Sequence, residues 1–188
     1  MKTDSALLAP AEAFALPYYA EAHRAYHNAE HVRAVLHALG SRQVLTPTVA
    51  LAVWGHDLIY DPRRHDNEQQ SADVFDGWLA EQGARADLRA EIHALILATR
   101  HAAPAATHTE ALLIDADLSI LGAEAEAFAA YNAAIRREYQ HVPGVLYRIG
   151  RKKILRGFLE RDQIFTTPEF TGLEDQARVN LAGAIAAL

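Results

Sequence analysis

The chain of 188 residues contains no cysteine. This excludes disulfide bonds, thiolate metal sites and a cysteine nucleophile, and it is typical of proteins from the reducing cytosol. No run approaches the ~20 apolar residues that a membrane-spanning helix requires. The first residues also lack the basic start and apolar stretch of a signal peptide. We therefore expect a cytoplasmic protein without a membrane segment.

Basic residues are scarce as well. Lys and Arg number 18 against 24 Asp and Glu, so the formal net charge is −6. A general nucleic-acid binder needs a basic surface, and this balance argues against that class. It leaves room for a local basic pocket that binds a small anion. Apolar residues make up 51% of the chain, which supplies a core and excludes disorder as the main state.

Alanine is the most abundant residue, and histidine, with 10 residues, is more frequent than usual. Alanine favours helix, and apolar side chains recur at helical spacing along most of the chain, whereas no stretch alternates convincingly like a strand. The predicted helices span about 28–39, 46–58, 67–79, 86–99, 110–121, 124–139 and 145–159, with a last segment ending near 187. We predict an all-α fold, a compact single-domain helical bundle over residues 1–188.

Three histidines, His23, His27 and His31, follow one another at intervals of four residues. On a helix, side chains four residues apart lie on the same face, so these imidazoles could meet one ion or one substrate. The alternative is a solvated polar face of the helix. Spacing alone does not decide between the two.

A His-Asp pair, His56 and Asp57, follows the apolar segment 49–54. An imidazole and a carboxylate in so apolar a setting need partners, because burying an unpaired charge is costly. The pair is either exposed at the end of a helix or supplies two metal ligands, one nitrogen and one oxygen.

Two carboxylates, Asp115 and Asp117, interrupt the hydrophobic segment 112–121. At least one should face inward, where a carboxylate is usually paired or bound to a metal. A solvent-facing polar stripe is the alternative, and it is more credible for Asp115 than for both residues.

Four of these side chains, His31, His56, Asp57 and Asp117, together form a mixed nitrogen and oxygen ligand set without thiolate. Such a set suits a divalent ion: Mn, Fe, Co, Ni, Zn or Mg. Four protein ligands leave room for water on an octahedral ion. Metal binding acidifies that water and makes it a nucleophile near neutral pH.

The order His, His-Asp and Asp on predicted helices resembles the HD superfamily of metal-dependent phosphohydrolases, over about residues 20–120. Segments 26–31 (YHNAEH) and 116–119 (ADLS) are also similar to motifs of cyclic-nucleotide phosphodiesterases. The whole chain is similar to small bacterial proteins described as predicted HD phosphohydrolases. The resemblance implies an HD-type domain whose C-terminal helices, about 124–188, pack on the metal-site core. It also implies that His31 binds metal and that His27 protonates the leaving oxygen.

Two positions depart from the related motifs. Asp61 stands where the cyclic-nucleotide enzymes have a histidine, and Tyr60 stands where some HD nucleotidases have a catalytic glutamate. Cyclic-nucleotide specificity is therefore not expected. Asp61 and Glu68 are the remaining candidates for activating the water. The alternatives are an Asp-Pro turn for Asp61 and a stabilising charge at a helix N-terminus for Glu68.

Several cations are candidates for binding the substrate. Arg24 could hold a phosphate through a bidentate contact, and its alternative is a surface arginine. His101 could contact the substrate or a second metal, although a cation at a helix C-terminus is favourable in itself. Arg148 and Lys152 lie four residues apart in a basic segment and could clamp an anion, although such runs are usually solvated.

We predict a metal-dependent phosphohydrolase that cleaves a small, nucleotide-like phosphate ester by attack of a metal-bound water. The ester is either a phosphomonoester or a phosphodiester. A di-iron oxygenase with the HD fold is one alternative, and it would need further ligands. The other is a non-catalytic HD domain that binds a nucleotide as a sensor, against which the four intact ligands argue. Homodimer formation stays open.

Overall fold

The computed structural model describes residues 3–188, which form helices joined by turns, with no strand among them. The nine α-helices of this part of the chain are α1 (Leu8–Tyr19), α2 (Ala29–Ser41), α3 (Pro47–Gly55), α4 (Asn67–Glu81), α5 (Ala86–Ala98), α6 (His108–Asp117), α7 (Ala125–Glu138), α8 (Gly144–Leu159) and α9 (Glu174–Ala187). Short 3-10 helices span Asp4–Leu7, Leu118–Gly122 and Thr171–Leu173. The prediction of an all-α fold is confirmed. None of the described helices combines the length and apolar character needed to cross a membrane.

The chain divides into two compact units, residues 1–114 and 115–188, and the division falls inside α6. In the first unit α3 is the central helix. All its residues from Val49 to Gly55 are buried, and it packs against α1, α2 and α5. A Cβ atom at Gly55 would lie 2.7 Å from the side chains of Ile96 and Phe75. The end of α3 is therefore tightly enclosed by its neighbours.

The start of α3 follows the predicted pattern, but its end does not. Thr46 caps the helix, since its Oγ1 accepts a hydrogen bond from the Val49 amide at 3.2 Å, and Pro47 is the first helical residue. The helix ends at Gly55 rather than near residue 58, so its last three predicted residues form a turn instead. Helix α1 was not predicted, because its apolar residues are not confined to one face.

In the second unit, buried polar side chains hold together segments that are distant in the sequence. The fully buried Asp115 carboxylate accepts hydrogen bonds from the Thr166 amide and from the amide and hydroxyl of Thr167, at 2.7–2.9 Å to Oδ2. Asn180 donates from Nδ2 to the Leu121 and Ala123 carbonyls, at 2.8 Å each. Asp115 therefore does not lie on a solvent-facing stripe, and its role in this unit is structural.

Candidate metal centre

His31 is positioned by the cap of α2. The side-chain oxygen of Asn28 accepts hydrogen bonds from the amides of Glu30 and His31, at 2.9 and 3.4 Å, and so fixes the first turn of the helix. The His31 side chain is only 3% exposed. His23 and His27 lie in the segment before the helix. The prediction that His23, His27 and His31 lie on one face of a helix is therefore wrong.

His56 and Asp57 occupy the turn that follows α3. The His56 side chain is 1% exposed, and its Nδ1 lies 2.7 Å from the Val53 carbonyl oxygen, to which it donates a hydrogen bond. A hydrogen on Nδ1 leaves the lone pair of the neutral ring on Nε2. Proteins orient metal-binding imidazoles through this kind of contact to a backbone carbonyl.

Three atoms of the first unit that could bind a metal ion lie within a few ångströms of one another. The Nε2 atoms of His31 and His56 are 3.1 Å apart, and Oδ2 of Asp57 lies 3.1 Å from Nε2 of His56 and 3.6 Å from Nε2 of His31. Neighbouring ligands of an ion with bonds of about 2.1 Å are separated by about 3.0–3.4 Å. Two of the observed separations, both 3.1 Å, lie within that range, and the third, 3.6 Å, is slightly longer.

Asp117 is the fourth predicted ligand, and it is the last residue of α6. Asp117 belongs to the second unit, so its part in binding a metal ion stays a prediction. We refer to the three side chains of the first unit, His31, His56 and Asp57, as the His/Asp cluster.

The electrostatics of Asp57 also suit a cation. Burial opposes ionisation of its carboxyl group, but the charge and hydrogen bond of His56, together with the charges of His27 and His31, hold its pKa well below the usual value. Asp57 is therefore an anion at neutral pH, next to two buried imidazoles. A divalent ion is the partner that such a mixed ligand set favours.

Arg24 fixes the turn that carries His56 and Asp57. Its side chain is fully buried, and it donates to Oε2 of Glu21 at 2.9 Å and to the carbonyls of His27, Asp57 and Leu58 at 3.2, 2.6 and 2.8 Å. Protein acceptors therefore occupy four of the five N–H groups of the guanidinium. This geometry makes Arg24 a positioning residue and does not support the predicted phosphate contact.

His27 lies beside the cluster and is held by stacking on an aromatic ring. Its ring stacks on the ring of Tyr60, with centroids 4.2 Å apart, and lies 5.9 Å from the ring of His31. His23 stacks on the same tyrosine and makes a hydrogen bond to its carbonyl oxygen at 2.8 Å. In the sequence Tyr60 stands out only as a departure from the catalytic glutamate of some HD nucleotidases. Its packing role depends on contacts with His23 and His27 that the sequence does not reveal.

The two candidates for water activation differ in their surroundings. Oδ1 of Asp61 accepts a hydrogen bond from the Arg63 amide at 2.9 Å, as in an Asp-Pro turn, and the Asp61 backbone pairs with the Asn67 side chain at 2.9–3.1 Å. Glu68 lies half-buried in the first turn of α4. Asp61 therefore has the geometry of an Asp-Pro turn, which was the alternative to a catalytic role. A catalytic role for Glu68 stays a prediction.

The other predicted substrate contacts lie elsewhere in the chain. His101 follows α5 with a φ of 53°, in the left-handed region that few residues other than glycine adopt. Arg148 and Lys152 lie on α8 in the second unit, where Arg148 lines a cavity and Lys152 is half-buried. Their contacts with a substrate stay predictions.

Comparisons with protein families, with characterised proteins and with solved structures gave no significant match.

The positioning role of Arg24 is testable with Arg24→Lys. Lysine cannot reproduce a planar fork that donates to four acceptors, so we expect a loss of about 2 kcal/mol in unfolding free energy. We also expect weaker divalent-metal binding, because the turn that holds His56 and Asp57 loosens. Arg33→Lys, at an exposed position on α2, is the matched control. Unchanged stability and metal affinity in Arg24→Lys would show that this arginine does not fix the turn.

Metal binding itself is testable by elemental analysis and calorimetry with Mn²⁺ or Zn²⁺. The wild type should bind about one equivalent, and His31→Ala or His56→Ala should weaken binding at least tenfold, since each removes a ligand. His37→Ala, which removes an exposed histidine on α2, should bind like the wild type. Equal affinity in all four proteins would place the ion outside the His/Asp cluster.

Proposed function

We propose that this protein is a metal-dependent phosphohydrolase that cleaves a small phosphate ester. The observation that carries the proposal is the pair of buried imidazoles whose Nε2 atoms lie 3.1 Å apart beside the Asp57 carboxylate. The order of these ligands in the sequence, and their resemblance to the HD superfamily, supports phosphate chemistry over other metal-dependent reactions. The nucleotide-like character of the substrate rests on that resemblance.

The donor atoms of the cluster fit a divalent ion. His31, His56 and Asp57 would hold it through two nitrogens and a carboxylate, and Asp117 is the predicted second carboxylate. Mn, Fe, Co, Ni, Zn and Mg can all accept such a set. When bound, such an ion polarises a phosphate oxygen and acidifies a water molecule.

His27 is our candidate for the general acid. Hydrolysis breaks the bond between phosphorus and the leaving oxygen, and that oxygen then needs a proton unless it belongs to a weak base. The stacked Tyr60 ring holds the His27 imidazole 5.9 Å, centroid to centroid, from the metal-binding ring of His31. A protonated His27 can therefore approach an ester bound at the cluster and give its proton to the leaving group.

A nearby carboxylate would take the proton that the attacking water loses. We favour Glu68 over Asp61, because Oδ1 of Asp61 already accepts the Arg63 amide within its turn. Arg24 serves this chemistry by fixing the turn on which Asp57 lies, through its bond to the Asp57 carbonyl at 2.6 Å.

The proposed reaction is testable with esters that differ in their leaving groups. The metal-loaded wild type should release phosphate from a panel of nucleotides and sugar phosphates. His27→Gln should keep its metal and lose about 10²- to 10⁴-fold in kcat on these alkyl esters, which is the usual contribution of a general acid. The loss should be much smaller on 4-nitrophenyl phosphate, because its leaving group departs without a proton.

The controls separate catalysis from folding and from other chemistries. His37→Ala should retain full activity, and His56→Ala should lose both metal and activity on every ester. An equal loss in His27→Gln on both kinds of ester would contradict the general-acid role. Oxygen uptake by the iron-loaded protein, with no phosphate released from any ester, would replace hydrolysis with oxygenase chemistry.

A further inference from the structure

The second unit contains a cavity of about 450 Å³ between α7, α8 and the end of α9. Its polar lining includes three arginines, Arg136, Arg148 and Arg151, together with Asn132 and Tyr147. Its other lining residues are alanines, a glycine and a leucine, and none is an aspartate or a glutamate. The size is within the range of pockets that bind small organic molecules.

Arg151 is the most informative of the three. It is only 8% exposed, and its Nη2 donates to Oδ1 of Asn132 at 2.9 Å. Its buried Nε has no hydrogen-bond acceptor, and its guanidinium carbon lies 5.1 Å from the centre of the Tyr131 ring. A neutral amide and an aromatic face do not neutralise a buried guanidinium, and a charge of this kind is costly unless an anion pairs with it.

Arg136 and Arg148 add further positive charge to the lining of this cavity. Arg136 donates to the Tyr139 and Val142 carbonyls, at 2.6 and 3.3 Å, and lies 4.6 Å from the centre of the Tyr147 ring. Arg148 extends into the cavity from the exposed side of α8. Within the part of the chain that the structure describes, none of the three forms an ion pair with a carboxylate.

We propose that this cavity binds the phosphate group of a small phosphate monoester, whose organic part lies against the alanine walls. Guanidinium groups bind phosphate oxygens through paired hydrogen bonds. A phosphate dianion offers three oxygens and two charges to three arginines, whereas a carboxylate offers only two oxygens and one charge. Ala129, Ala133 and Ala184 supply the apolar surface for the organic part. The site is independent of the His/Asp cluster.

The probe for this site is phenyl phosphate, titrated by calorimetry into protein freed of metal on a chelating resin. Arg148→Gln should weaken binding at least tenfold, since it removes a charged hydrogen-bond donor. Ala133→Phe keeps all three arginines but places a large side chain in the cavity. Since Ala133 is exposed, this change should abolish binding without altering the fold. Lys153→Gln, an equal change of charge at an exposed position on α8 outside the cavity, should bind within about twofold of the wild type.

The possible outcomes separate this site from the metal centre. His31→Ala should bind phenyl phosphate like the wild type. Loss of binding in His31→Ala but not in Arg148→Gln would place the ligand at the His/Asp cluster and overturn the proposal. It would also be overturned by unchanged affinity in both Arg148→Gln and Ala133→Phe, or by no binding to the metal-free wild type at millimolar concentrations.

Discussion

The Nε2 atoms of His31 and His56 lie 3.1 Å apart inside the protein, so a hydrogen atom or a cation must lie between their lone pairs. Either one ring carries a proton on Nε2 and donates it to the other, or a cation accepts both lone pairs. The His56 ring already donates from Nδ1 to a backbone carbonyl, and the Asp57 carboxylate lies beside the pair. An anion next to two converging lone pairs favours the cation.

Hydrogen bonds from the surrounding structure hold this arrangement in place. Asn28 caps α2 and fixes His31, the Val53 carbonyl orients His56, and the buried Arg24 ties the turn after α3 to the segment that carries His27. These contacts join parts of the chain up to 34 residues apart. A rigid set of supporting contacts is what a metal site requires, because the ligands must keep their geometry when the ion is exchanged.

The fold class and the grouping of His31, His56 and Asp57 could be predicted from the sequence because they depend on local patterns. Helical spacing of apolar residues predicted the all-α fold and a helix that starts near residue 46, close to the observed start of α3 at Pro47. Histidines and aspartates in apolar surroundings predicted the His/Asp cluster, because polar groups need partners when buried.

The remaining features depend on tertiary contacts that no local pattern encodes. The sequence suggests Arg24 as a substrate ligand. Its actual acceptors include the carbonyls of residues 57 and 58, which are too distant in the sequence to be recognised as its partners. It also suggests that Asp115 is the more exposed of two carboxylates, yet the partners of Asp115 lie about 50 residues further along the chain. Residues 56 and 57 form a turn where the sequence predicts the end of a helix. The side chains of His56 and Asp57 lie at the cluster from this turn.

The most direct test of the metal centre is a crystal structure of the protein loaded with Mn²⁺, with anomalous diffraction recorded to locate the ion. We expect one strong anomalous peak about 2.1–2.3 Å from Nε2 of His31 and Nε2 of His56, with Asp57 and Asp117 as the carboxylate ligands. If the two imidazoles instead stay hydrogen-bonded to each other and the manganese binds elsewhere or not at all, the His/Asp cluster is a structural hydrogen-bond network. The proposal of a metal centre would then be wrong.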